Sequence, residues 1–179
     1  MRNTDYTELF NDISQNHKKI GNNDNKNHFA RIVLNQDPLS GIYLEEYLAS
    51  ISNSDTKYPL LLLISYDFTY TENNSNNRTK NLDGSFIIFD QVTDLGSYDE
   101  IDTVFNDTEQ IGEDIIAYLK ALNDRNNLNS GWFHITETSG EHIGPIADNF
   151  FGTKFYFTIH EYANAALKYN EDNWNEPIE

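Results

Sequence analysis

The strongest periodic pattern in the chain runs from Asp99 to about Asn123. Ile101, Val104, Phe105, Ile111, Ile115, Ile116, Leu119 and Leu122 recur in steps of three and four, which places them on one face of a 3.6-residue period. The spacing predicts a long helix. Asp99 and Asp102 fall in its first turn, where carboxylates suit the free amides and the positive end of the dipole, and Lys120 and Arg125 lie near its end. Asp107, Glu109, Gln110, Glu113 and Asp114 make the opposite, water-facing side. Gly112 interrupts the stripe at a cost of about 1 kcal/mol relative to alanine. It marks close packing against a strand or close approach by a neighbouring subunit.

The rest of the pattern is arranged to cover that stripe. Asp5 to Ile20 is expected to be a helix with Tyr6, Leu9, Phe10, Ile13 and Ile20 on one face and Gly21 ending it. His28 to Leu34 fits a short strand or an extended passage. Asp37-Pro38 reads as the start of a further helix, with Tyr43, Leu44, Tyr47, Leu48 and Ile51 as its apolar face. Pro59 to Thr71 begins as a continuous apolar run and then alternates, the mark of a strand buried on both faces at first and half-solvated later. Ser85 to Thr93, Trp132 to Thr138 and Gly152 to Tyr162 supply three more strands. In the last, Phe155, Phe157 and Ile159 point one way, opposite Lys154, Tyr156, Thr158 and His160. Glu72 to Gly84 and Ser139 to Phe151 are expected to be long polar connections.

The expected fold class is therefore α+β: a four-stranded, largely antiparallel sheet with helices packed on one face, in the order α-α-β-β-α-β-β. Residues 1–162 form one domain, and residues 163–179 form an acidic tail that is loose or held by a partner. A chain of 179 residues buries enough apolar surface without staples, and it has no cysteine to form a disulfide or thiolate metal site. No segment approaches the ~20 apolar residues of a membrane span. The start does not look like a signal peptide, so the expectation is a soluble protein made inside the cell, away from membranes.

Charge narrows the roles further. The formal net charge is -17, from 29 acidic and 12 basic residues. Such a chain will not grip a phosphate backbone, which needs clustered Lys and Arg. A solvated surface, a mimic of DNA, or a wall that DNA slides past all fit the charge. No catalytic, cofactor-binding or metal-ligating residue is expected: the five histidines (His17, His28, His134, His142, His160) lack ligand spacing, although His134 and His160 could meet across strands beside Glu141-His142. There is no Gly-x-Ser-x-Gly elbow, P-loop or dinucleotide fingerprint.

Three stretches taken together carry a resemblance: Tyr58-Pro59-Leu60-Leu61-Leu62 opening a strand, Ile111-Gly112-Glu113-Asp114-Ile115-Ile116-Ala117 inside the helix, and Gly152-Thr153-Lys154-Phe155-Tyr156-Phe157. Over about residues 5 to 162 the chain resembles small neck and tail-completion proteins of tailed phages, of the tail-terminator or head-to-tail connector type and especially those of Bacteroidetes phages. The Pro38 to Ile51 helix and the acidic tail depart from that pattern. The resemblance implies a non-enzymatic ring subunit of the virion neck or tail. It would be made in the host cytoplasm, form a homo-oligomer beside portal-associated and other neck or tail proteins, and let DNA pass without binding it. An acidic DNA-mimic inhibitor or another small interaction protein is the alternative, and a small enzyme using scattered carboxylates or histidines is the third possibility. A mimic would set its acids in double rows, whereas here they scatter among asparagines.

Overall fold

The computed structural model describes residues 1–21, 27–33, 44–48, 50, 56–72, 77–126, 128 and 131–175. Its elements are α1 (Asn3–Asn16), β1 (Asn27–Ile32), β2 (Thr56–Glu72), β3 (Arg78–Gln91), α2 (Tyr98–Asp124), β4 (Gly131–Phe133), β5 (Ser139–Ile146) and β6 (Phe150–Tyr162). Two short 3-10 turns, Ile135–Glu137 and Glu171–Asn173, complete them. The fold is α+β around a mixed sheet of six strands in the order β1-β2-β3-β6-β4, with β5 also on the outer side of β6. β1 is parallel to β2 and every other pairing is antiparallel.

The long helix forms where the periodicity predicts it. Val104, Ile111, Ile115, Ile116 and Leu119 are buried, and the acidic side stays exposed. Its start is fixed twice over. The Ser97 side chain accepts from the Glu100 amide at 3.3 Å, and the Glu100 carboxylate accepts from the Thr93 amide and hydroxyl, both at 2.8 Å, and from the Asp94 amide at 3.0 Å. These bonds hold the Glu100 carboxyl below the usual carboxylate range, the Thr93 amide first among them.

The sheet has two covered faces, which corrects the expectation of helices on one face only. Alternation puts Leu61, Leu63, Phe86, Ile88, Phe155, Phe157 and Ile159 against α1 and α2. The other set, Leu62, Ile64, Ile87, Phe89 and Phe150, meets Leu44 and Leu48 from the helical residues 44–48. The doubly apolar run in β2 is thus explained by cover on both sides. Asp37, Pro38, Tyr43 and Ile51 of the expected helix lie outside the described residues.

Three further expectations are corrected. The sheet has six strands, not four. The expected connection Glu72 to Gly84 is mostly strand: β2 and β3 stay paired out to Glu72↔Arg78. β3 is also paired with β6 there, so two neighbours hold a polar segment that carries little strand propensity of its own. Ser139 to Phe151 holds β5, paired with β6 from Ser139↔Tyr156 to Ile146↔Phe150. In turn, the expected strand Trp132 to Thr138 is β4 followed by a 3-10 turn. α1 stops at Asn16 rather than Ile20; Ile20 is still buried, and the Gly21 amide closes the following turn on the His17 carbonyl.

Residues 163–175 leave the sheet beside β3. The buried Ala163 donates its amide to the Arg78 carbonyl, and the Arg78 amide donates to Asn164 Oδ1 at 2.7 Å. Among the described residues no helix is long and apolar enough to cross a membrane.

Candidate functional site

A cleft of about 650 Å³ opens between α2 and β5. Its helix wall is one face of α2: Glu109, Glu113, Ile116, Ala117 and Lys120. Its strand wall is the 3-10 turn with Ile135 and Thr138, followed by the backbone of Ser139 to His142, and Thr153 and Phe155 lie beneath. The space exists because Gly140, which lies opposite Phe155 in the pairing, has no side chain. A Cβ at Gly140 would meet the nearest Phe155 atom at an ordinary 3.4 Å and project into the opening.

Packing under the cleft is close. The Phe155 ring lies where Gly112 would carry a Cβ, so the helix approaches the sheet to the distance an aromatic ring sets. The ring is stacked in turn on Phe86, centroids 5.3 Å apart and 12° from parallel. Gly112 therefore serves packing against a strand within the chain. Thr108 and Thr153 share a buried hydrogen bond of 3.0 Å between helix and strand.

The polar rim is unevenly paired. His142 donates from Nε2 to Glu109 at 3.0 Å, its ring stacked on Phe105 with centroids 4.4 Å apart. Lys120 turns to Asp124 at 2.8 Å. The Glu141 carboxylate points to the other face of the sheet, where it accepts from the Tyr156 hydroxyl at 2.7 Å. Burial, reinforced by that bond to a carboxylate, pushes the Tyr156 hydroxyl up to about 12. Lys154, its ammonium 4.4 Å from the Tyr156 ring centroid, is pushed down by burial. Glu113 has no ion-pair or hydrogen-bond partner among the described residues. It sits one turn from Glu109, an i,i+4 pair of like charge.

The five histidines are dispersed. His17 lies 3.4 Å from Asp114 and His28 lies 3.1 Å from the Pro59 carbonyl, well apart from the rest in the fold. His134 and His160 do meet, with ring centroids 5.9 Å apart, as the strand alternation allows. His160 is already engaged by Asn81 Oδ1 at 2.9 Å, by the Glu137 carboxylate, and by the Trp132 ring stacked at 5.5 Å. His142 faces α2, away from that group. Among the described residues no three His, Asp or Glu side chains converge to hold a metal ion.

The cleft was not legible as a site in the sequence. Glu109 and Glu113 read as solvated helix positions, which they are, and Gly140 sat in an expected loop. The available signal was the pairing of a helix edge, Glu109-Glu113-Ala117, with a strand whose inward position is glycine. No protein-family model matches the chain, and no curated protein matches it.

Proposed function

We propose that this chain is a non-enzymatic subunit of a phage neck or tail ring, of the head-to-tail connector or tail-terminator type, lining a channel through which DNA passes. One observation carries the reading: among the described residues the sheet ends in two unlike open edges. On one side β1 pairs with β2 only as far as Ile64, and no described strand pairs with that edge of β2 from residue 65 to 72. On the other side, among the described residues, β4 and β5 pair only with β6. Unlike edges join head to tail, and a head-to-tail contact that repeats by rotation closes a ring.

The charge of -17 and the resemblance to neck proteins support the same reading. The exposed acids of α2 outside the cleft, which include Asp102, Asp107 and Asp114, make a surface that repels a passing duplex. The test is imaging of particles made with and without this gene. Particles without it should fail to join heads to tails or should lose their DNA. Particles that join, retain DNA and infect normally would overturn the reading.

A further inference from the structure

The geometry points to a contact between copies in which Leu167-Lys168-Tyr169 of one chain seats in the cleft between α2 and β5 of the next. This rests on the ring reading and specifies the joint it needs. The cleft offers an apolar floor in Ile116 and Phe155, an exposed apolar lip in Ile135, and a carboxylate, Glu113, with no ion-pair partner among the described residues.

Few segments of so acidic a chain complement that. Lys19 is held by Asp107, Arg78 by Glu72, Lys80 by Glu161 and Lys120 by Asp124, and Arg31 donates to the Thr7 hydroxyl. The exposed Lys18 and Arg125 have only polar neighbours in sequence, His17 and Lys19, Asp124 and Asn126. Lys168 has no ion-pair partner among the described residues. Exposed apolar side chains flank it on both sides, Leu167 at 39% and Tyr169 at 40% of full exposure. A turn presents the three residues, with the Leu167 amide bonded to the Ala163 carbonyl at 3.0 Å.

The occupant comes from a second copy because of where β6 ends. Ala163 follows the far end of β6, eight residues beyond Phe155, which at ~3.3 Å per residue is about 26 Å along the strand. The cleft and the turn are different surfaces at different ends of the molecule, so the contact is heterologous and propagates. Lys168 pairs with Glu113 while Leu167 covers Ile116 and Phe155. Three residues cover far less than the ~800 Å² per partner of a standard interface, so one such contact is weak alone. In a closed ring every copy uses both its cleft and its turn.

The absence of cysteine makes the contact directly testable by disulfide trapping. Ala117→Cys in one sample and Tyr169→Cys in another are mixed under oxidation at ~0.15 M salt, where charges beyond ~8 Å are screened and a close pair is not. A crosslinked dimer is expected, well above that of a control pairing of Thr4→Cys on α1 with Tyr169→Cys. Adding Lys168→Glu to the Tyr169→Cys chain should lower the yield about fivefold, and adding Glu113→Lys to the Ala117→Cys chain should restore it. Gly140→Leu, which fills the cleft without a backbone clash, should abolish the crosslink. A yield no higher than the control, or one indifferent to Lys168→Glu, overturns the proposal. If particles need the chain but this crosslink is absent, the contact fails and the ring reading stands. If the crosslink forms with its charge dependence while particles assemble without the gene, the ring reading fails and the contact stands.

Discussion

Phe155 occupies the space that a side chain at Gly112 would fill: a Cβ built there would lie 1.9 Å from the ring. A β6 residue thus dictates a helix residue 43 positions earlier in the chain. Gly112→Ala should gain about 1 kcal/mol of helix propensity but incur an overpacking cost of about 1–3 kcal/mol or more. The expected result in urea unfolding is a net loss of stability, relieved in part by Phe155→Leu. A variant as stable as the parent would show that the helix can move off the sheet at no cost.

Ile115 is fully buried on the same helix face. Ile115→Ala should cost about 2–5 kcal/mol through lost transfer energy and the cavity left behind. Ile116→Asp places an unpaired charge at a 6% exposed position and should cost several kcal/mol, judged from about 1–3 for an unpaired neutral group and more for a charge. Thermal melts of both variants check the assignment. An unchanged melting temperature for Ile116→Asp would mean the helix is not packed as described.

The Thr108 and Thr153 hydroxyls bond each other in the core, and Thr108 also donates toward the Phe105 carbonyl at 3.1 Å. Thr108→Val leaves the buried Thr153 hydroxyl without its partner and should cost about 1–3 kcal/mol. Valine at both positions should cost less than the sum of the two single changes, since neither then leaves an orphaned hydroxyl. A double-mutant cycle from denaturant melts reads the coupling directly, and strict additivity would argue against the bond.

Glu100 gives a pH dependence of known sign. Its folded-state carboxyl titrates below the usual range because the Thr93 amide, the Thr93 hydroxyl and the Asp94 amide all donate to the ionised form. Its stabilisation is therefore fully present above the ordinary glutamate value of about 4.3 and is lost as pH falls through the lower folded value. Wild type should melt higher than Glu100→Gln at neutral pH, with the gap closing as the pH falls below the ordinary glutamate range. A gap that stays constant with pH would place the contribution in neutral hydrogen bonding.

The ring reading predicts that duplex DNA is not retained, even at ~0.01 M salt where Debye screening is weakest. A mobility-shift assay checks this. Retention that weakens with rising salt would reveal a basic surface and contradict a repelling channel wall.

The sequence by itself determined α2, the apolar half of β2, and β6, because each announces itself by a period that a single element satisfies. Helix burial at Ile111, Ile115 and Leu119 follows from 3.6-residue spacing, and the alternation Phe155, Phe157, Ile159 against Lys154, Tyr156, Thr158 follows from the pleat. Tertiary structure alone decided that the polar stretch Arg78–Gly84 is strand, that Ser139–Ile146 pairs with β6, and that Leu44 and Leu48 cover a second sheet face. The two strand stretches carry weak or opposing local preferences, and their backbone groups find partners only when a distant strand lies beside them. Leu44 and Leu48 read as an apolar helix face, but which side of the sheet that face covers is set by the packing. The cleft belongs with this second group. It depends on Gly140 facing Phe155 and on α2 standing above both, and no window of sequence contains all three.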